Sequence, residues 1–253
     1  MLHPVVVGHG KRGAPKVIRS TTNEPSTDRR VALVTGANRG IGREVVRQLL
    51  DHGFRTVLSA RDEDRGRVAA AEVGSEFLQL DVSDEGSVER CFRAVEEAFG
   101  RLDVLVNNAA IHYDMWQRGI DADLAVVHEA LETNLFGAWR TCRSAIPMMR
   151  RNRWGRIVNV SSEGGSLTSM GGGTPAYSVS KAAMNALTRI LAAELRGTGI
   201  LVNAVCPGWV ATDMGGPGGR PVQVGAARVM WAVLLDDDGP TGGFFRDGRP
   251  LPW

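Results

Sequence analysis

The sequence predicts an α/β fold in which helices cover both faces of a doubly wound parallel sheet. After residue 30, short apolar segments alternate with longer segments of helical periodicity. Some of the short segments, such as Val104–Val106, are apolar at every position, as a parallel strand buried on both faces requires. A glycine-rich turn joins the first short segment to the first long one. Alternating strands and helices with right-handed connections build an open sheet of this kind.

The individual elements follow from this alternation in chain order. The expected strands are Val31–Thr35, Arg55–Ser59, Glu76–Leu80, Leu102–Val106, Arg156–Val160 and Ile200–Val205, with a last strand at 242–245. The expected helices are Ile41–His52, Arg65–Val73, Glu85–Phe99, a long stretch at Asp121–Met149, Ala176–Arg196 and Pro221–Leu235. No linker interrupts residues 29–253, so this part of the chain is predicted to form a single domain.

Composition argues against several classes of protein. The chain has 253 residues, of which 43% are hydrophobic, and a formal net charge of +2. No apolar stretch approaches the ~20 residues that a membrane-spanning helix needs, and no overall basic excess indicates a nucleic-acid partner. The three cysteines, at 91, 142 and 206, are widely spaced, which predicts neither a disulfide framework nor a metal site. A reducing, cytoplasmic location is the expected one.

Residues 1–28 differ from the rest of the chain. They show no clear helical or strand periodicity and contain prolines at positions 4, 15 and 25. A flexible N-terminal tail is the favoured interpretation, since chain termini are often loosely held. The segment is basic with few acidic residues, so a targeting sequence stays open as an alternative. A docked functional arm is the third interpretation.

The sequence TGANRGIG at positions 35–42 follows the first strand and opens the first helix. Its glycines allow the backbone to turn tightly and to approach a ligand closely. The N–H groups at the start of the helix then face an anion, which the helix dipole also favours. In doubly wound folds of the Rossmann type, this place holds the pyrophosphate of a dinucleotide. The alternative is a strand–helix turn without a ligand. The predicted cofactor contacts here are Gly36, Asn38, Arg39, Gly40, Ile41 and Gly42.

The end of the second strand selects between NAD and NADP. An acidic residue there binds the ribose 2′-hydroxyl of NAD, whereas an arginine accommodates the 2′-phosphate of NADP. The strand ends with Ser59 and Ala60 and continues into Arg61. We therefore expect Arg61 and Arg39 to hold a 2′-phosphate, with NADP(H) as the cofactor and NAD(H) as the less favoured one. Asp62 could pair with Arg61 or repel the phosphate, and both arginines could instead be solvated surface residues.

Tyr177 and Lys181 form a candidate proton-transfer pair. Residues at i and i+4 share one face of a helix, and a nearby ammonium group would lower the pKa of the Tyr177 phenol. A tyrosine tuned in this way can give or take a proton near neutral pH. Ser161 and Ser162 end the preceding strand, at the edge where open α/β sheets bind ligands. The alternatives are an ordinary amphipathic helix for the pair and a turn for the serines.

The motifs TGxxxGIG, NNAA and YSVSK resemble those of the short-chain dehydrogenase/reductase family in order and approximate spacing, over about residues 30–253. The resemblance implies that Tyr177 is the general acid in reduction and that Ser162 hydrogen-bonds the substrate oxygen. It further implies that Lys181 holds the nicotinamide ribose and lowers the Tyr177 pKa. Asn134 would anchor a water that links Lys181 to solvent; its alternative role is a helix kink or a surface polar group. Ser162 precedes Tyr177 by fifteen positions, against about thirteen in the family, and the intervening glycine-rich loop can absorb the two extra residues. The choice of Ser162 over Ser161 rests on the match of the preceding strand, so Ser161 stays open as the partner of the substrate oxygen.

The resemblance also implies cofactor contacts farther along the chain. Asp81 would meet the adenine amino group and Val82 would flank the ring, although an aspartate there suits a turn or a helix cap equally well. Asn108 and Ala109 would lie along the cofactor. Ala110 departs from the family's NNAG pattern and places a Cβ where the family has none. After the sixth strand, the expected contacts are Pro207, Gly208, Val210 and Thr212, of which the last two would hold the nicotinamide carboxamide.

The function implied by the resemblance is the NADPH-dependent reduction of an aldehyde or ketone to an alcohol by hydride transfer. The wording PGWVATDM at positions 207–214 looks most like carbonyl reductases. An NAD-dependent alcohol or hydroxysteroid-type dehydrogenase is the second possibility, and a non-catalytic dinucleotide-binding regulator is the third. A small carbonyl or alcohol substrate is expected, without metal, nucleic-acid or membrane partners. The resemblance favours a homodimer or homotetramer, and a monomer stays open because carbonyl-reductase-like members can be monomers.

Overall fold

The structure, a computed structural model, describes residues 29–253. The predicted N-terminal tail, residues 1–28, lies outside the described residues. The strands are β1 (Val31–Val34), β2 (Arg55–Ala60), β3 (Glu76–Gln79), β4 (Val104–Asn107), β5 (Gly155–Val160), β6 (Ile200–Val205), β7 (Phe244–Arg246) and β8 (Arg249–Pro250). The α-helices are α1 (Gly40–Asp51), α2 (Glu63–Val73), α3 (Glu85–Phe99), α4 (Leu124–Leu131), α5 (Ala138–Asn152), α6 (Pro175–Glu194) and α7 (Val222–Val233).

These strands form one eight-stranded sheet in the order β3-β2-β1-β4-β5-β6-β7-β8. Strands β1 to β7 pair in parallel, and β8 pairs antiparallel with β7. The chain builds outward from β1 in one direction and then returns to add β4 on the other side. A reversal of this kind opens a crevice at the carboxyl ends of the strands. The predicted doubly wound, single-domain α/β fold is confirmed.

Neighbouring side chains of the central strands enter different hydrophobic cores. Leu33 and Leu105 belong to the core on one face of the sheet. Val34 and Val106, the next residues along the same strands, belong to the core on the other face. All four are fully buried, because successive side chains of a strand point to opposite faces and helices cover both. This double burial is the reason that these strands are apolar without alternation.

The helical stretch predicted at Asp121–Met149 is interrupted. A π-helical turn, Glu132–Gly137, separates α4 from α5. Within this turn the Asn134 side chain is fixed to the main chain of Ile111: Oδ1 accepts from the N–H at 2.8 Å, and Nδ2 donates to the carbonyl at 3.1 Å. Single π-helical turns inside helices are frequent at functional sites, and this one lies beside the candidate site.

The helices differ in how their first turns are satisfied. α2, α3 and α4 each begin after an aspartate whose carboxylate accepts a backbone N–H of the first turn. α1 begins after Arg39, and α6 begins after Thr174, and neither residue makes a side-chain capping bond. Thr174 also has a left-handed φ of +45°. The N–H groups of these two helices must therefore find other partners, because the first four N–H groups of a helix have none within it.

Most predicted boundaries lie within two residues of the observed ones. The two-residue strand β8 had no sequence signal, since two residues cannot show an alternating pattern. The longest helix, α6, has 20 residues. In the part of the chain that the structure describes, no helix combines the length and apolar character that a bilayer crossing demands.

Candidate active site

A cleft of about 750 Å³ opens at the carboxyl ends of the strands. Most of the sequence-predicted site residues line it. These are Gly36, Asn38, Arg39, Gly40, Ile41, Arg61, Asp81, Val82, Asn108, Ala109, Tyr177, Lys181, Pro207 and Thr212. The predicted residues outside this lining are Gly42, Asn134, Ser162, Gly208 and Val210.

The glycine turn approaches the end of β4 so closely that side chains are excluded. A Cβ on Gly36 would lie 2.8 Å from Cα of Ala109, and its φ of +61° is a conformation that favours glycine. A Cβ on Gly42 would lie 2.5 Å from Nδ2 of Asn108, which places Gly42 beneath the turn. Since α1 begins at Gly40 without a side-chain cap, the N–H groups of its first turn border the cleft and can receive an anion.

Two asparagines hold this region in place. Asn108 Nδ2 donates to the carbonyls of Thr35 and Gly36, at 2.9 and 3.0 Å. Asn107 Nδ2 donates to Oδ1 of Asn159 at 2.9 Å, which ties β4 to β5. The first asparagine therefore braces the sheet, and the second braces the glycine turn.

Ala110 lines the cleft where the family pattern has glycine. Outside glycine, positive φ among the described residues occurs at His112, Arg153, Thr174 and Asp247. Ala110 is not among them, so its Cβ adds no left-handed backbone strain. The departure from the NNAG pattern is therefore accommodated locally.

Arg39 and Arg61 both reach the cleft, and each has a carboxylate nearby in sequence or space. Arg39 donates to Asp213 at 2.5 Å, and both side chains are exposed. A phosphate bound at Arg39 would compete with Asp213 for the guanidinium. Asp62 accepts from the N–H of Arg65 at 3.0 Å and lies 3.5 Å from its side chain. Asp62 therefore caps α2 and pairs with Arg65, and the alternative pairing with Arg61 is not found.

Asp81 and Val82 lie where β3 ends, on the adenine side implied by the resemblance. Asp81 Oδ1 accepts from the N–H of Ser83 at 3.0 Å and from its hydroxyl at 2.6 Å. The turn role considered for Asp81 is therefore present. Val82 is 6% exposed and packs against Gly137 of the π-helical turn. The adenine contacts of both residues stay predictions.

Tyr177 and Lys181 lie on one face of α6 and border the cleft. Lys181 Nζ lies 5.5 Å from the Tyr177 ring centroid and donates to the carbonyl of Val160 at 2.7 Å. Burial raises the pKa of Tyr177 to about 12, although a hydrogen bond with Ser162 acts in the opposite direction. Burial also lowers the pKa of Lys181 to about 8. The expected lowering of the Tyr177 pKa is therefore not found, because desolvation of the phenol outweighs the effect of Ser162.

The two candidate serines have different partners. Ser161 Oγ is buried and donates to Oδ1 of Asn185 at 2.6 Å. The Ser162 hydroxyl accepts from the N–H of Gly164 at 3.1 Å, and it lies close enough to the Tyr177 phenol to act toward a lower pKa of that group. This geometry favours Ser162 over Ser161 as a neighbour of the reacting group, although the role itself stays a prediction.

Asn134 is fully buried and joins three parts of the site. Besides its two bonds to Ile111, its Nδ2 donates to Oγ of Ser180 at 3.0 Å. Ser180 in turn donates to the carbonyl of Tyr177 at 2.7 Å. The polar surface role considered for Asn134 is therefore wrong, because the residue has no exposed surface. Its link to a water beside Lys181 stays a prediction.

The segment after β6 borders the cleft only in part. Pro207 and Thr212 line it, and Thr212 Oγ1 accepts from the N–H of Gly215 at 3.1 Å. Gly208 lies behind the cleft, where a Cβ would meet Nη1 of Arg228 at 2.2 Å. Val210 is 3% exposed. These two residues support the segment, and any carboxamide contact from them stays a prediction.

The cleft is also lined by residues to which the sequence analysis assigned no cofactor contact. Some follow predicted strands and could have been found from strand ends alone, whereas others come from α1, α7 and the segment after β6. They are Arg43, Glu44, Asp62, Arg65, Leu80, Ala110, Ile111, Thr133, Val160, Ser161, Ala211, Asp213, Met214, Val222 and Gln223.

Comparison with known proteins shows the family of this chain. The family model described as short chain dehydrogenase matches residues 30–220. The chain belongs to the short-chain dehydrogenase family. Carbonyl reductase (NADPH) 1 of Mus musculus is 34% identical over 281 residues, covering 90% of this chain and 100% of the relative. The (+)-neomenthol dehydrogenase of Arabidopsis thaliana is also 34% identical, covering 85% of this chain and 95% of the relative.

A solved structure extends the similarity to three dimensions. NADPH-bound carbonyl reductase from chicken fatty liver superposes with a TM-score of 0.79 at 28% identity, covering 89% of this chain and 99% of that one. This short-chain dehydrogenase is therefore an NAD(P)-dependent oxidoreductase that acts on carbonyl or alcohol groups.

Proposed function

We propose that this protein reduces an aldehyde or ketone to an alcohol with NADPH, and that Tyr177 donates the proton. The observation that carries the proposal is the position of Tyr177. Its side chain borders the same cleft as the glycine turn, and the Ser162 hydroxyl is near enough to act on the pKa of its phenol. A carbonyl oxygen placed between the two hydroxyls would accept hydrogen bonds from both.

The residues of the cleft fit a dinucleotide. Gly36 and Gly42 leave no room for a Cβ, and the uncapped start of α1 offers N–H groups to a pyrophosphate. Arg39 and Arg61 suit the 2′-phosphate of NADP(H), and the buried Ser59 brings no acid to that end of β2. The mouse relative is named for NADPH, and the structure of the chicken relative contains bound NADPH. When bound, this cofactor supplies the hydride.

Tyr177, Ser162 and Lys181 have different roles in the proposed reaction. With its pKa raised to about 12, Tyr177 keeps its proton at neutral pH and donates it as the substrate oxygen gains negative charge. Ser162 orients that oxygen. Lys181, whose pKa is lowered to about 8, is charged below that pH and stabilises the phenolate that remains after proton transfer. Reduction should therefore slow as the pH rises through about 8, as Lys181 loses its charge.

The deciding experiment measures cofactor oxidation by the purified protein. NADPH and NADH are compared against a panel of aldehydes, ketones, diketones and quinones. Turnover with NADPH alone is expected. Turnover with NADH alone would favour the NAD-dependent dehydrogenase, and saturable binding without any turnover would favour a regulator. Failure to bind either dinucleotide would contradict the interpretation of the glycine turn.

The choice of NADPH has a test of its own in the double variant Arg39→Gln/Arg61→Gln. Loss of two guanidinium–phosphate contacts is expected to raise the Kd for NADPH about 10–100-fold, while the Kd for NADH stays unchanged. Arg151→Gln is the matched control, because Arg151 is also an exposed arginine paired with a carboxylate, that of Glu96. Equal effects on both dinucleotides would contradict the 2′-phosphate contact.

Quaternary structure and location are finer parts of the proposal. A homodimer or homotetramer formed through the helices that hold Asn134 and Tyr177 is supported by exposed apolar side chains there. They are Phe136, Trp139, Val179 and Ile190, each 40–49% exposed. Light scattering at micromolar concentration tests this state, and a monomer would contradict it. The cytoplasmic location stays a prediction.

A further inference from the structure

Asp114 is a fully buried carboxylate outside every sequence motif of the site. It lies in the segment between β4 and α4 and is 0% exposed. Its Oδ2 accepts from the N–H of Ala176 at 2.9 Å, and its Oδ1 accepts from the N–H of Tyr177 at 3.1 Å. Gln117 Nε2 also donates to Oδ2, at 3.2 Å. Both carboxylate oxygens are therefore directed at the first turn of α6.

The first turn of α6 needs this carboxylate. Thr174, the residue before the helix, makes no side-chain capping bond. Asp114 takes the place of a local cap from more than 60 positions away in sequence. A charged acceptor at the start of a helix is favoured by the helix dipole, and its bonds to N–H groups are stronger than neutral ones. Removal of Asp114 would leave two N–H groups without these bonds.

The residue beside Asp114 contacts the other end of the same tyrosine. The rings of Tyr113 and Tyr177 meet edge to face, with centroids 5.2 Å apart and an interplanar angle of 88°. One dipeptide therefore contacts both the backbone N–H and the ring of Tyr177. The remaining side-chain contacts of the phenol, with Ser162 and Lys181, lie within the site already described.

We propose that Asp114 is a positioning residue that fixes Tyr177 for proton donation. It holds the Tyr177 backbone through a direct hydrogen bond, and Tyr113 supports the ring. The segment between β4 and α4 thereby sets the place of the proton donor. This inference rests on the proposed function of Tyr177, because the position of the hydroxyl matters only if that hydroxyl transfers the proton.

The contact itself is tested without any assay of activity. Residue-level hydrogen exchange by NMR on the unmodified protein should show the amides of Ala176 and Tyr177 exchanging about tenfold or more slowly than that of Ile41 in the uncapped first turn of α1. Exchange of Ala176 and Tyr177 as fast as Ile41 would overturn the cap, whatever the protein catalyses.

The kinetic test compares Asp114→Ala with the conservative Asp114→Asn. Loss of both acceptors in Asp114→Ala is expected to lower kcat about 10–100-fold, because small misplacements of a reacting group have effects of this size. Asn retains one acceptor, so the kcat of Asp114→Asn should lie between those of Asp114→Ala and the unmodified protein. The directly measured Kd for NADPH should change less than about threefold. The matched control is Asp84→Ala, which removes the local cap of α3 and should leave kcat unchanged.

A general loss of structure is separated from positioning by the Tyr177→Phe background. If Asp114 acts through the Tyr177 hydroxyl, Asp114→Ala should cause no further loss of the residual rate once that hydroxyl is absent. The same fold-loss in both backgrounds, or an equal kcat for Asp114→Ala and the unmodified protein, would overturn the proposal. If the unmodified protein reduces no carbonyl, the proposed function fails, and the exchange measurement still decides whether Asp114 holds α6.

Discussion

The N-termini of α1 and α6 both border the cleft, but only that of α6 is closed by a carboxylate. α1 begins after Arg39 without a side-chain cap, above a turn in which Gly36 excludes any side chain. α6 begins with two N–H groups bonded to the buried Asp114. The N–H groups that a helix cannot satisfy itself are thus available to a ligand at α1, whereas at α6 they are bonded to Asp114.

The difference follows from what each helix must do. In the proposed function, the first turn of α1 binds the pyrophosphate of a cofactor that is released after each turnover, so a carboxylate of the protein at this place would compete with it. The first turn of α6 carries Tyr177, and proton donation as proposed requires one fixed position of its hydroxyl. The cap from Asp114 displaces no proposed ligand at α6, and it stabilises the turn that holds the proposed proton donor.

The largest effect is expected at α6, from Tyr177→Phe. Loss of the phenolic proton should lower kcat about 10²–10⁴-fold, while the ring and its contact with Tyr113 are retained. NADPH binding, measured by protein fluorescence, should stay close to that of the unmodified protein. A variant with its full rate would show that another group donates the proton.

In the glycine turn before α1, Gly36→Ala should be strongly destabilising. Its Cβ would meet the backbone of Ala109 at 2.8 Å in addition to the strain of a φ of +61°, so we expect a loss of about 2–4 kcal/mol of unfolding free energy. Gly53→Ala is the control, because Gly53 has a φ of +81° and open space around it. Urea unfolding should show that Gly53→Ala loses only about 1 kcal/mol of unfolding free energy. Equal losses for the two variants would contradict the close approach of Gly36 to Ala109.

Lys181→Met should stabilise the protein while abolishing turnover. Burial lowers the Lys181 pKa from 10.5 to about 8, so the unfolded chain binds the proton more tightly than the folded one. The charged amine therefore destabilises the fold fully below about pH 8, and this effect disappears as the pH rises toward 10.5. Urea unfolding near neutral pH should show a gain of about 1–3 kcal/mol that shrinks above pH 8. A gain that does not change with pH would indicate packing alone.

The smallest effect is expected from Arg39→Ser, which would give α1 a cap at its N-terminus, as α6 already has. Arg39 has the extended backbone of a capping position, and a serine there should add about 0.5–1 kcal/mol to the unfolding free energy. The new cap and the lost guanidinium should together weaken NADPH binding. Thermal unfolding with and without NADPH measures both effects, and unchanged affinity would mean that the first turn of α1 does not contact the cofactor.

Much of the fold could be predicted because its signals are local. Continuous apolar strands, helical periodicity and the glycine turn each depend on neighbouring residues, and they placed β1 to β6 close to their observed positions. Tyr177 and Lys181 could be paired for the same reason, since residues four apart share a helix face. The downward shift expected for the Tyr177 pKa failed, because the sequence does not show the depth of burial that raises this pKa.

The sequence by itself determined the sheet, the cleft at its carboxyl edge and the residue types brought there, because these follow from periodicity and short motifs. Only the tertiary structure decided the contacts across the cleft. Asp114 reaches Tyr177, and Asp213 reaches Arg39, over long stretches of chain. Likewise, Asn134 bonds Ile111 inside a π-helical turn. Such contacts depend on how separate elements pack, and a single sequence carries no local signal for a partner that lies far along the chain.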